Sequence, residues 1–151
     1  MKISTSLAAV TFILVSCNAT TKTASQPGEQ KTDFEMSITQ KYWRLLELNS
    51  RNVVISKEQS REPHFILKSE NIMTGHSGCN SFSGNYELTD SNKISFSKMI
   101  STKMACIDVP YENDYLKVFE DVDTYTLKGD TLFFNNSKGD PIAKFQVVYF
   151  K

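Results

Sequence analysis

The sequence of 151 residues holds no apolar run long enough to cross a bilayer. A spanning helix needs about 20 apolar residues for a hydrocarbon core of roughly 30 Å. Residues 7–15 (LAAVTFILV) form a run of nine. There is no charge of one sign in excess either, with 17 basic against 17 acidic residues, so no electrostatic footprint for nucleic acid exists. Histidine is scarce, with His64 and His76 alone. A nucleophile-based enzyme needs a nucleophile, a base and an orienting group, and the one conceivable pair is Cys79 with His76. The glycine-dense stretch GHSGCNSFSG does not match a phosphate loop and no clear helix follows it. These absences predict a protein that is not an enzyme and needs no cofactor.

What the N-terminus does have is a basic residue, Lys2, then the short apolar run, then small residues. That order describes a secretory signal. Leu14-Val15-Ser16-Cys17 resembles the lipobox of bacterial lipoproteins, in which a small residue before the cysteine gives the peptidase access and the cysteine is acylated. Residues 1–16 are thus expected to be a signal peptide and Cys17 the lipidated first residue of the mature chain. Two or three acyl chains hold firmly because each buried CH2 contributes about 0.8 kcal/mol. Residues 17–33 carry no aliphatic side chain larger than alanine after Cys17 and read as a flexible tether. Asn18 follows the cysteine, not aspartate, which by resemblance to Gram-negative lipoproteins favours the outer membrane. No acidic run follows, which favours the periplasmic face. Loss of Lys2 leaves 16 basic against 17 acidic residues, a charge of about −1.

Residues 34–151 have the size of one domain with one core. Tyr42 and Trp43 tilt residues 42–48 toward a strand, although helix also fits the pattern. Residues 53–55 are a short β-branched run, Glu62-Pro63 marks a break, and residues 64–68 and 71–76 are strand candidates. Gly75, Gly78 and Gly84 imply tight β geometry. Residues 85–88 and 93–97 flank a turn-rich segment and form a predicted hairpin, and residues 99–106 predict a further strand. Residues 108–122 predict the one helix, with Asp108 as cap, Pro110 in the first turn and Tyr111, Tyr115, Val118, Phe119 and Val122 as its apolar stripe. Beyond it lies a meander: residues 124–128, a Gly129-Asp130 turn, residues 131–134, another turn and an alternating last strand. Many short strands with one helix predict an α+β domain of predominantly antiparallel β, a curved sheet packed by one main helix.

Two cysteines remain besides Cys17. Cys79 and Cys106 are either a disulfide or two buried thiols, and an oxidising compartment favours the disulfide. His76, Cys79, Met104 and Cys106 are also soft or borderline ligands, so a Cu(I) or Zn site is the alternative, though no C-x-x-C or H-x-x-x-H spacing supports it.

Gly78-Cys79-Asn80 followed by Phe82, Gly84 and Tyr86 resembles the GCNxFxGxY signature of META/HslJ-like domains. Thr102, Met104, Ala105 and Cys106 are similar to that family's TxMAC element. Glu112, Tyr115 and Phe119 follow as in its helix, and Gly129-Asp130 with Leu132 as in its last hairpin. Trp43 and Leu45 match its opening strand. The resemblance implies a small β-rich domain like a cracked barrel closed by a helix. It implies secretion or lipid anchoring, an association with heat shock and novobiocin resistance, and no established enzymatic activity. A partly open barrel lined by Phe65, Phe82, Phe96, Phe133 and Phe145 can hold an apolar guest or offer a groove to a peptide or protein partner, if those rings do not simply fill the core.

Overall fold

Alternation of inward apolar and outward polar residues is the rule along most of the folded chain, and the computed structural model turns it into a ring of strands. The structure describes residues 38–57, 59, 61–89, 92–106 and 109–150. The expected signal peptide (residues 1–16), Cys17, the expected tether and Asp108 lie outside the described residues.

The elements run β1 (Tyr42–Leu48), β2 (Arg51–Asn52), β3 (His64–Leu67), a 3-10 turn (Ser69–Asn71), β4 (Ile72–His76), β5 (Ser81–Thr89), β6 (Lys93–Ser101), α1 (Glu112–Asp121), β7 (Thr124–Lys128), β8 (Thr131–Asn135) and β9 (Pro141–Val148). All neighbours are antiparallel. The spatial order is β2-β1-β3-β4-β5-β6-β7-β8-β9, and β1 also pairs with β9, which closes the ring. Closure removes the aggregation-prone outer edges of an open sheet. The seam is between β6 and β7, joined through the single residue pair Lys93 with Thr124. This is the crack, and α1 fills the space behind it.

The helix is amphipathic, with Tyr115, Val118 and Phe119 buried. Phe119 inserts among the strand residues, its ring centroid 5.0 Å from Phe96, 5.1 Å from Phe82 and 5.8 Å from Phe65. Phe145 packs 4.8 Å from Phe65 and 5.1 Å from Phe134. Edge-to-face and tilted rings at these distances are favourable aromatic contacts. The barrel interior is therefore a solid aromatic core. At its base the buried Trp43 Nε1–H donates to the Ile38 carbonyl at 2.8 Å.

Three sequence expectations shift. The helix begins at Glu112, not residue 108, and Tyr111 precedes it without a side-chain cap. Residues 93–97 and 99–101 are one strand, bent at Lys98, which adopts φ 51°, and the strand ends at Ser101, with Thr102 keeping one backbone bond to Ser81 before residues 103–106 turn away. The β-branched run 53–55 follows β2, and the hairpin partner of β1 is Arg51–Asn52. Phe133 does not line the interior. Leu132 and Phe134 point inward, opposite Phe145 and Ala143, and period-2 alternation puts Phe133 outside beneath the Lys128 ammonium at 5.7 Å.

Candidate functional site

The GCN signature builds the connection between β4 and β5. The chain reverses over Ser77–Asn80, where the Ser77 N–H donates to the Asn80 carbonyl at 2.8 Å. Gly78 adopts φ +98°, and a Cβ there would sit 2.8 Å from the Tyr111 hydroxyl, so both backbone and space require glycine. Gly84 faces the bend of β6, where a Cβ would lie 2.9 Å from the Ser97 carbonyl oxygen. The two signature glycines thus serve a left-handed turn against Tyr111 and a close approach of β5 to β6.

Asn80 is buried and its amide is the hub. Its Oδ1 accepts from Thr102 Oγ1 at 2.8 Å and from the Met104 N–H at 2.7 Å. Its Nδ2 donates to the Met104 carbonyl at 3.2 Å and to Glu112 Oε1 at 3.0 Å. The same carboxylate oxygen accepts from the Asn80 N–H at 3.2 Å and from the Ser77 hydroxyl. Cys79 and Cys106 are joined as a disulfide with Cα atoms 5.8 Å apart, within the range a bridge requires. Three elements of the signature, far apart in sequence, meet at one side-chain amide. Their roles are architectural: they fasten the β4–β5 turn to the segment after β6 and to the first turn of α1.

Asn80→Asp is the sharpest probe of this hub. The change keeps the size and replaces the NH2 donor with an oxygen facing Glu112 and the Met104 carbonyl. We expect a loss of about 2–4 kcal/mol at pH 7, as for a broken buried network. Repulsion raises the folded-state pKa of the new carboxyl above its unfolded value. The deficit should accordingly be largest at neutral pH and shrink as pH falls through that folded pKa. Urea unfolding of both proteins between pH 7 and pH 4 checks this, and a pH-independent deficit would reject the assignment of Glu112 as partner.

Outside the barrel, strand register assembles a cleft of about 470 Å3 next to this turn. Arg44 is opposite His64, His64 opposite His76, and His76 opposite Ser81. The adjacent row runs Ile66, Thr74, Ser83, Ile100. Arg61, just before β3, completes the lining with its guanidinium. The two imidazoles lie parallel, 6° between planes and 6.3 Å between centroids, and Tyr42 stacks on His64 at 4.1 Å. Burial lowers the pKa of both histidines, and Arg61 pushes each the same way. Glu62, the carboxylate nearest His64, pairs with Arg44 at 3.7 Å.

Of the residues singled out in the sequence, Gly78, Cys79, Asn80, Thr102, Met104, Cys106 and Glu112 converge on the hub. Phe82 enters the core, and Tyr86 is buried with its hydroxyl donating to the Lys68 carbonyl at 2.7 Å. Ala105 is exposed. The soft-metal set does not assemble. The disulfide takes the thiolates of Cys79 and Cys106, and the Met104 side chain stands in solvent at 58 % exposure. The Cys79–His76 pair loses its nucleophile for the same reason. Among the described residues no three of His, Cys, Asp and Glu are grouped to hold a metal. Sequence reading missed the pairing of His64 with His76, and Arg61, Thr74, Ser81 and Ser83 with them. Strand register brings these together, and the alternation of polar residues on β3, β4 and β5 was their one sequence signal.

The META domain family matches residues 36–149. No curated protein matches the chain. Among solved structures, a protein from Burkholderia xenovorans solved by NMR is similar, with a TM-score of 0.60 and 23% identity over 76% of this chain and 86% of that one. A second NMR structure gives a TM-score of 0.58 at 17% identity, over 74% of this chain and 92% of that one. A crystal structure of a duf4847 family protein from Bacteroides vulgatus gives 0.54 at 10% identity, over 75% and 96%. At such identities the likeness shows the fold alone.

Proposed function

Because this chain belongs to the META domain family, we propose that it is a cell-envelope lipoprotein whose folded domain is a binding module and not an enzyme. Cys17 anchors it, from the outer membrane facing the periplasm, and the tether of residues 18–33 lets the domain reach its ligand. A stress-response role accords with the family's associations. One observation carries the binding half: the solid aromatic interior leaves no room there for an apolar guest, while the outer wall beside the signature turn carries a cleft lined by two histidines, an arginine and hydroxyl side chains. Its size lies within the ~300–1,000 Å3 of small-molecule sites.

Each half has its own test. Cys17→Ser should abolish palmitate labelling and leave the signal peptide uncleaved by the lipoprotein peptidase; unchanged labelling rejects the anchor. Ser83→Trp should block the cleft from an outward-facing strand position. A compound that binds there should raise the melting temperature of the wild type, by about 2.7 kcal/mol of added stability at a hundredfold excess over Kd, and should leave Ser83→Trp unmoved. If every compound in a broad polar library shifts both proteins alike, or neither, the cleft is not the binding site.

A further inference from the structure

The two histidines of the cleft carry opposite tautomers, and that decides what the cleft can recognise. His64 Nδ1 lies 2.9 Å from the Glu62 backbone carbonyl. A carbonyl only accepts, so Nδ1 carries the proton and Nε2 keeps its lone pair. His76 Nδ1 lies 3.1 Å from the Gly78 N–H. An N–H only donates, so this Nδ1 is the acceptor and the proton sits on Nε2. With each Nδ1 committed to backbone, the nitrogens left to the cleft are a bare acceptor on His64 and an N–H donor on His76, side by side on parallel rings.

Arg61 adds a fixed positive charge that acts on both rings. The nearby carboxylates are engaged elsewhere: Glu62 with Arg44, and Glu112 with Ser77 and Asn80 on the inner side of the turn. The Arg61 guanidinium, one N–H donor and one bare acceptor match a ligand with a carboxylate next to a hydroxyl. Resting on the cleft as the binding site, we propose that this site recognises a hydroxy-carboxylate of the sugar-acid type. The carboxylate lies on Arg61 and His76 Nε2–H, and a neighbouring hydroxyl donates to His64 Nε2. Ser81, Ser83 and Thr74 supply further hydroxyl partners on the same wall. A carboxylate without the hydroxyl leaves the His64 acceptor unpaired, and a neutral sugar leaves Arg61 unpaired.

Protonation separates the two contacts. His64 can take a proton on Nε2 without losing its bond to Glu62, and its acceptor then becomes a donor. His76 can take one only by giving up the Gly78 N–H. The groups facing His64 are Tyr42, Arg44, Glu62, Arg61 and His76; those facing His76 are His64, Arg61 and Glu112. Both rings titrate below the usual histidine value, so both are neutral at pH 7.5.

The test is an NMR titration of the full-length protein in non-ionic detergent with three probes: glucuronate, cyclohexanecarboxylate and glucose. At pH 7.5 glucuronate should bind about tenfold tighter than either of the others, the ratio one well-made hydrogen bond supports. Arg61→Gln should weaken both acids about tenfold. His64→Phe keeps the ring stack, and should erase the preference for glucuronate over cyclohexanecarboxylate while leaving the latter's affinity unchanged. Equal affinity for the two acids at pH 7.5, or a preference that survives His64→Phe, overturns the assignment. If glucuronate fails while another compound is blocked by Ser83→Trp, the ligand class is wrong and the cleft stands. If no compound responds to that block, the cleft itself is wrong.

Discussion

Phe119→Ala is expected to lower stability by about 3–5 kcal/mol, the upper range for removing a buried aromatic ring. Phe119 is the ring on which the interior converges, in contact with Phe65, Phe82, Phe96, Tyr115 and Phe134. It comes from the helix, while all but one of its neighbours come from strands, so the void cannot close unless α1 moves inward. Because the wall behind the helix is the poorly paired seam, that movement would strain the Lys93–Thr124 junction. Against a total of roughly 5–15 kcal/mol, the loss would leave a marginal protein. Urea unfolding should show a lower midpoint with an unchanged slope, and Phe119→Leu should recover part of the loss by refilling most of the volume. A deficit below about 1 kcal/mol would mean that α1 is an appendage and not the plug of the barrel.

Removal of the disulfide should have an effect of comparable size. Cys79 and Cys106 are 27 positions apart, and the loop-entropy relation gives a stabilisation of about 3–4 kcal/mol for such a closure. The bridge joins a buried residue of the signature turn to an exposed residue of a segment without regular structure. Comparing denaturation of the oxidised protein with that of Cys79→Ala/Cys106→Ala gives the value directly. The double variant combined with Asn80→Asp should lose less than the sum of the two, because both devices hold the same segment to the same turn. A change under about 1 kcal/mol would show that Asn80 alone suffices as fastener.

What was legible in the sequence was mostly local. The Gly129-Asp130 turn appears as the two-residue connection of β7 and β8, with Lys128 opposite Thr131. The alternation before the C-terminus gave β9, and the helical stripe gave Tyr115, Val118 and Phe119 as its buried face. The signature residues pointed to the cracked barrel, and the chain closes into one. The helix start was misplaced because Asp108 and Pro110 look like an entry signal, whereas Glu112 binds Asn80 and Ser77 and the helix takes its beginning from that tertiary contact. The break after Ser101 was missed because residues 102–106 trade strand pairing for the Asn80 amide. The cleft was illegible for a similar reason. His64 and His76 become neighbours by a register that no single strand records, since a shift of one strand by one residue would turn its histidine to the opposite face.

The pairing of β1 with β9 places Tyr42 opposite Val148, which sets the order in which this domain can be assembled. Delivered from its N-terminus, the chain presents β1 before its partner β9, the last strand in the element order of the domain. Until then Trp43 and Leu45 lack the strand that closes the ring over them. A chain growing from its N-terminus can form the β3–β6 hairpins early, since each pairs with its successor. Ring closure must wait for the whole domain, and contacts of such long sequence separation are slow to form. Until β9 arrives the domain therefore leaves one side of the apolar β1 uncovered, a window in which a holding chaperone has a surface to grip that the finished barrel conceals.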